Sequence, residues 1–285
     1  MAAPALARGG HVSGVPFFKM TGSGNDFVLL DGRGPAAEGW GAERIAALCD
    51  RRNGVGADGL VILVPDDPGS VRMIYYNADG SRAAMCGNAA LCSTRLAARL
   101  GMAAAGGMQL VTDAGVVASR CVGPGDLAEI RLPDCPVPAP VPAIAPGAGE
   151  RAVWLGTVGV PHLVVLVDDA AAVDVVGRGR PLRYHPATGP AGANANFVAA
   201  PREPGGPWLI RTYERGVEGE TLACGTGTVA AALALAAHCG VSLPLEFRSW
   251  GGEPLVVRAT LSAGLAGDVW LGGQGRLVFR GEWEG

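Results

Sequence analysis

Two cysteines in this chain stand where a thiol can be put to work. Cys224 lies in TLACGTGTVAAALALAAHCG, residues 221–240. The Ala/Leu run is a strong helix former and Gly240 a natural C-terminal stop. Cys224 is therefore expected at or just before a helix N-terminus, where free backbone N–H groups and the positive end of the helix dipole face outward. Such a place suits a thiolate or a bound carboxylate. Residues 85–101, MCGNAALCSTRLAARLG, repeat the pattern around Cys86. Two such helix starts set face to face would hold a substrate carboxylate on the amides near Gly87, Asn88, Gly225 and Thr226. One thiolate could then remove the proton on the adjacent carbon while the other thiol protonates the opposite face, inverting the centre. Helix termini are expected to hold the thiols below their ordinary pKa of ~8.5. Mutual repulsion should make the two sulfurs titrate as a pair sharing one proton.

The flanks of the two cysteines repeat as well. Asn25 precedes Cys86 by 61 positions and opens the run NDFVLLD; His162 precedes Cys224 by 62 within VPHLVVLVD. Gly54 of GVGAD and Gly192 of GANAN each lie 32 positions before their cysteine, and the strand-like MIYYN and IRTYE, ending at Asn77 and Glu214, stand 9 and 10 before. Four landmarks in register imply two homologous halves, each presenting one cysteine at a helix N-terminus.

A chain of 285 residues with two halves can bury a core in each. A net charge of −3 and the lack of a basic stripe argue against nucleic acid as a partner. The longest apolar stretch of the late helix, residues 229–237, falls well short of the ~20 residues of a membrane span. The first ~14 residues lack a signal-peptide core and read as a disordered extension. Seven cysteines without a CxxC pair read as free thiols of a reducing cytoplasm, and the spacing of a structural zinc site is missing. Cys49, Cys92, Cys121, Cys135 and Cys239 read as packing or incidental residues, as do His11, His185 and His238; Asp26, Asp58 and Asp79 read as turn formers.

The elements that must position the two thiols can be read in order. Strands are expected over residues 17–31, broken at TGSGND, and over 60–64, 71–76, 108–112, 115–122 and 127–132, with a short amphipathic helix over 43–52. Residues 133–150, rich in proline, are expected to form an extended connector between an N-terminal half, 15–132, and a C-terminal half, 151–274. Strands at 245–247, 255–261 and 269–271 close the second half. A last strand within 275–285 could complete either half.

Read together, TGSGNDF, GVGADG, YNADGSRAAMCGN, GVPH, Asn194-Ala195-Asn196-Phe197 and TYERGVEGETLACGTG resemble the diaminopimelate epimerases over nearly the whole chain. The resemblance implies an α/β (α+β) fold of two pseudo-symmetric domains, each a mostly antiparallel sheet or barrel around a central helix, with the site in the cleft between them. It implies an isomerase, independent of pyridoxal phosphate and of metal, that interconverts LL- and meso-diaminopimelate in lysine and cell-wall precursor biosynthesis, and a cytoplasmic homodimer. Carried over by motif, Cys86 and Cys224 are the acid/base pair, supported by His162 and Glu214. Asn25, Asn77, Gly87, Asn88, Asn194, Arg215, Gly225 and Thr226 match substrate-contacting positions. Arg215 is suited to a bidentate grip on a distal carboxylate. The sequence departs from the usual pattern at Val160 (often asparagine), Gly59 (sometimes glutamine) and Leu91 (commonly arginine). Two other readings stand beside this one: a racemase of the same fold acting on proline, hydroxyproline or histidine, and a Cys-His hydrolase using one cysteine with His162 as base.

Overall fold

A computed structural model of the chain describes residues 14–35 and 38–285. The expected N-terminal extension through residue 13, His11 included, lies outside them. In chain order the first set of elements is Val15–Gly22 (β1), Asn25–Asp31 (β2), Ala42–Cys49 (α1), Gly59–Pro65 (β3), Ser70–Asn77 (β4), Arg82–Ala83 (β5), Gly87–Arg99 (α2), Met108–Thr112 (β6), Gly115–Cys121 (β7) and Leu127–Arg131 (β8). Two short strands follow, Cys135–Pro136 (β9) and Ala139–Pro140 (β10). The second set is Glu150–Val158 (β11), Val160–Val167 (β12), Val175–Arg183 (α3), Asn194–Ala199 (β13), Trp208–Glu214 (β14), Gly219–Thr221 (β15), Gly225–Cys239 (α4), Leu245–Ser249 (β16), Pro254–Ser262 (β17), Leu265–Gln274 (β18) and Arg276–Trp283 (β19).

The ladders show the repeat directly. In the first set β2 runs parallel to β3 and β4 parallel to β6, while the pairs β1–β2, β3–β4, β4–β5, β6–β7 and β7–β8 are antiparallel. In the second set β12–β13 and β14–β16 are the parallel pairs, and β11–β12, β13–β14, β14–β15, β16–β17 and β17–β18 are antiparallel. The same seven pairings thus occur twice. An antiparallel β8–β18 ladder joins the two sets, and β19 returns to pair with β1.

Each set curls around one helix. α4 is buried along Val229–Leu235 without a break and touches β11, β12, β13, β17 and β18; α2 is buried over residues 89–94, 96 and 97 and touches β1, β7, β8 and β18. Alanine is abundant in both helices because strands press on them from several sides, and a small side chain lets backbones approach while each buried Leu or Val still contributes ~1.5–3 kcal/mol. Gly240 ends α4 with φ 67°, in the left-handed region expected of a C-terminal glycine.

The proline-rich connector is tied down rather than free-running. β9 pairs with β18 and β10 with β11, and the Pro138 carbonyl lies 2.7 Å from His238 Nε2, whose ring stacks on Trp154. α3 was not expected from sequence. Asp174 caps it, accepting from the Gly177 N–H at 2.9 Å, and its Gly177, Gly179 and Pro181 hide the helical period. Among the described residues no helix is long and apolar enough to cross a membrane.

Candidate active site

Cys86 and Cys224 are the N-cap residues of α2 and α4. Both have extended backbone (φ −139°, ψ 124° and φ −131°, ψ 104°), and neither thiol caps its helix in the usual side-chain manner. The first-turn amides beside each sulfur, of Asn88 and Ala89 at Cys86 and of Gly227 at Cys224, act on it electrostatically by favouring the thiolate. The next amides close the helices: Ala90 N–H and Thr228 N–H each donate to the cysteine carbonyl at 2.9 Å. All seven cysteines are free thiols.

Both sulfur-bearing residues line one cavity of about 660 Å³. Of the residues singled out from sequence, Asn25, Cys86, Gly87, Asn88, Glu214, Cys224, Gly225 and Thr226 line it. Asn77, His162, Asn194 and Arg215 do not: Asn77, His162 and Asn194 lie on β4, β12 and β13, and Arg215 directly follows the lining Glu214 at the end of β14. Asn77 bonds Ser81 Oγ at 3.0 Å, and Asn194 Oδ1 accepts the Arg215 backbone N–H at 2.7 Å.

On the first side, the hairpin turn between β1 and β2 sets Asn25. Ser23 and Gly24 both have positive φ (45° and 103°), the geometry of a tight two-residue turn with the twist of its strands. Asn25 Nδ2 then donates to Asp58 Oδ2 at 2.8 Å, and Asn25 Oδ1 accepts from Asn88 Nδ2 at 2.7 Å. Asp58 is held in turn by Arg51 at 2.6 Å, which also grips Asp26. Burial opposes ionisation of Asp26, but hydrogen bonds from Arg51 and Lys19 outweigh it and hold this carboxyl down to about 2. Arg51, Asp26 and Asp58 all line the cavity. The two aspartates are thus parts of the site wall and not turn formers alone, and Arg51 joins them; charge pairing across a loop leaves no local signal in the sequence.

On the second side, His162 is fully buried. Its Nδ1 lies 3.3 Å from both Asn194 Nδ2 and Asn196 Nδ2, so it accepts, and the neutral ring carries its proton on Nε2, which makes no hydrogen bond. Burial is the main cause that brings its pKa down to about 4, and the charge of Arg215 adds to the fall. Asn196 also accepts from Thr212 Oγ1 at 2.9 Å and donates to the Leu163 carbonyl at 2.8 Å. A Cβ on Gly227 would overlap Asn196 Oδ1 and stand 3.2 Å from Cys224 Sγ, which explains the second glycine of CGTG: the helix start must lie directly on this polar cluster. Glu214 accepts from Thr221 Oγ1 at 2.7 Å on the cavity wall.

The electrostatics correct one expectation. Burial raises both thiols above their ordinary range, Cys224 to about 11 with Glu214 adding to the rise; the helix amides and Thr226 oppose this without overcoming it. At Cys86 the Asp58 charge also raises the pKa, and the Tyr75 hydroxyl lowers it. Both sulfurs therefore rest as thiols at neutral pH.

Structures of the same fold are known. A phenazine biosynthesis protein of the PhzF family from Bacillus anthracis superposes with a TM-score of 0.69 at 14% identity, covering 94% of this chain and 98% of that one. A hydroxyproline epimerase from Agrobacterium vitis superposes with a TM-score of 0.56 at 20% identity, covering 96% and 93%. The chain thus has the mixed α/β fold of these two proteins. The sequence profile of diaminopimelate epimerase matches residues 17–129 and 155–256. Curated diaminopimelate epimerases from Gemmatimonas aurantiaca and Aquifex aeolicus are 47% and 38% identical, the first over 93% of this chain and 98% of its own length, the second over 76% and 80%. This chain belongs to the diaminopimelate epimerase family.

Proposed function

We propose that the protein interconverts LL- and meso-diaminopimelate by two-base proton transfer at Cα, without a cofactor. The observation that carries this reading is the duplicated one: two cysteines, each at the start of a buried helix, on the wall of one cavity. One sulfur takes the Cα proton as a thiolate. The electron pair left on carbon is stabilised by the adjacent carboxylate held on the amides of Gly87, Asn88, Gly225 and Thr226, and the other thiol gives its proton to the opposite face. Since both sulfurs rest as thiols, the α-ammonium of the substrate supplies the positive charge that favours thiolate once the cavity is filled. Asn25, Asn77, Asn88, Asn194 and Arg215 hold the substrate's polar ends, with Glu214 and His162 in support.

A Cys-His hydrolase would need His162 poised on a sulfur. Its Nδ1 is engaged by two asparagines and the ring lies off the cavity wall, so no observation favours that reading. The reading includes two domains, the first of residues 15–132 completed by 275–285 and the second of 151–274, in a cytoplasmic homodimer. Light scattering on the purified protein tests the dimer. For the activity, the protein is given LL-diaminopimelate and the stereoisomers are followed by chiral chromatography, with proline, hydroxyproline and histidine in parallel. Formation of the meso isomer is expected; inversion of one of the other amino acids instead would overturn the substrate.

A further inference from the structure

One charged group on the cavity wall has no part in the two-thiol chemistry. Among the described residues that line the cavity, Arg51 is the one basic side chain, and more than half of it (58%) is open to solvent. Three hydrogen bonds fix its head: Nη1 donates to Asp26 Oδ2 at 3.0 Å, and Nη2 donates to Asp26 Oδ1 and to Asp58 Oδ1, both at 2.6 Å. Its backbone is held as firmly. Asp50 Oδ1 accepts from the Arg52 and Asn53 N–H groups at 2.9 and 2.6 Å, and the Val55 and Gly56 N–H groups close the loop onto the Leu48 carbonyl. Gly56 has φ 76°, and a Cβ there would lie 3.0 Å from Arg51 Cα, so the loop folds directly over the arginine.

The chain of hydrogen bonds that starts at Arg51 has a direction, because an ionised carboxylate only accepts. Asp58 gives Oδ1 to Arg51, while its Oδ2 accepts from the Asp26 N–H at 3.2 Å and from Asn25 Nδ2 at 2.8 Å. The Asn25 amide therefore has one orientation, with Oδ1 turned to accept from Asn88 Nδ2 at 2.7 Å. Asn88, in the first turn of α2, is oriented in its turn, and its Oδ1 is the acceptor it can offer to a bound ammonium. The second half lacks this chain. Its rung His162–Asn194 matches Phe27–Gly59, so Asn25 and Asp58 stand where that half has Val160 and Ala193. Residue 160 is where the usual pattern often has asparagine, so the polar contact of this matched pair falls to Asn25 alone.

We propose that Arg51 is a positioning residue of the reaction: through Asp58 it sets which ends of Asn25 and Asn88 donate and accept, and it offsets the Asp58 charge near the helix start that receives the substrate carboxylate. This inference rests on the proposed function, which places that carboxylate on the amides at the two helix starts. Arg51 acts through intervening side chains and not on the reacting carbon, so its effect falls on substrate binding more than on proton transfer.

The test uses the full-length protein, Arg51→Ala, Arg51→Lys, Asp58→Asn and the double variant Arg51→Ala/Asp58→Asn, with steady-state kinetics on LL-diaminopimelate. Arg51→Ala is expected to raise KM about 10-fold with kcat within about 3-fold of the natural protein. Arg51→Lys keeps a cation in the loop if the alanine variant folds poorly; it should lose less, since one ammonium can neutralise a carboxylate but cannot bridge two in a fixed plane. Millimolar guanidinium, far below denaturing concentrations, should lower the KM of Arg51→Ala and leave the natural protein and the double variant unchanged. The double variant should be no worse than the poorer single one, because both changes break one chain. An unchanged KM in Arg51→Ala would overturn the inference. So would effects of Arg51→Ala and Asp58→Asn that multiply, or a loss that neither lysine nor guanidinium relieves, since these are the marks of a loop that has only been loosened. If the natural protein itself does not convert LL-diaminopimelate, the proposed function falls and this inference with it; an active natural protein beside an unaffected Arg51→Ala overturns this inference alone.

Discussion

Lowering the pH from 7 to 4.5 should cost the fold about 2 kcal/mol through His162 alone. The fold holds this ring neutral, with its pKa down to about 4 against 6.5 in the unfolded chain. The unfolded state therefore binds the proton first. The contribution of His162 is fully present above pH 6.5 and is lost as the pH falls from there toward 4. At pH 4.5 the unfolded ring is nearly all protonated and the folded ring only about a quarter, which gives the figure above. The assay is urea unfolding followed by tryptophan fluorescence at both pH values, for the natural protein and for His162→Gln, which cannot titrate. Carboxylates common to both proteins cancel in the comparison. Asp26, with its pKa at about 2, contributes stability above the ordinary carboxylate range that is lost only as the pH falls from about 4 toward 2, below the window used. If both proteins lose the same stability between pH 7 and 4.5, the buried neutral imidazole described above is wrong.

Three further outcomes follow from the site. Gly227→Ala should destabilise the protein by ~1–3 kcal/mol and depress turnover, because the new methyl overlaps Asn196 Oδ1 beside Cys224; thermal unfolding and steady-state kinetics check both. Asp58→Asn should raise KM for diaminopimelate about 10-fold with a smaller effect on kcat, since Asp58 orients Asn25, and through it Asn88, on the cavity wall; unchanged KM would remove Asp58 from the site. In the ligand-free protein at pH 8, Cys224, with its thiol at about 11, should be only ~0.1% thiolate, against roughly a quarter for an ordinary cysteine. Its alkylation should then be about 100-fold slower than that of a free thiol, with the exposed Cys239 labelled first.

How much of this could be read in advance depended on whether the signal was local. The two helix starts were legible because a cysteine, glycines and an unbroken run of good helix formers lie within one short stretch, and β6, β7, β8 and β19 appear close to their expected places because alternation and turn residues bracket them. α3 was not legible in its own residues, where two glycines and a proline obscure the period. The repeat carried the clue, since α3 stands between β12 and β13 as α1 stands between β2 and β3. The grouping of Arg51, Asp26 and Asp58 with Asn25, and of Asn196 and Thr212 with His162, depends on strand register, which no single stretch reveals. The thiol energetics are hidden from sequence for the same reason. A helix terminus can be seen in sequence, but the burial that outweighs it comes from strands far away in the chain.

The central claim is that the two sulfurs act on opposite faces of one carbon. It is tested most directly by incubating LL-diaminopimelate with the natural protein, Cys86→Ser and Cys224→Ser in deuterated water and measuring deuterium at Cα together with the stereoisomer formed. The natural protein is expected to place deuterium in the inverted product, and each serine variant to lose interconversion by several orders of magnitude. Full interconversion in either serine variant would contradict the account.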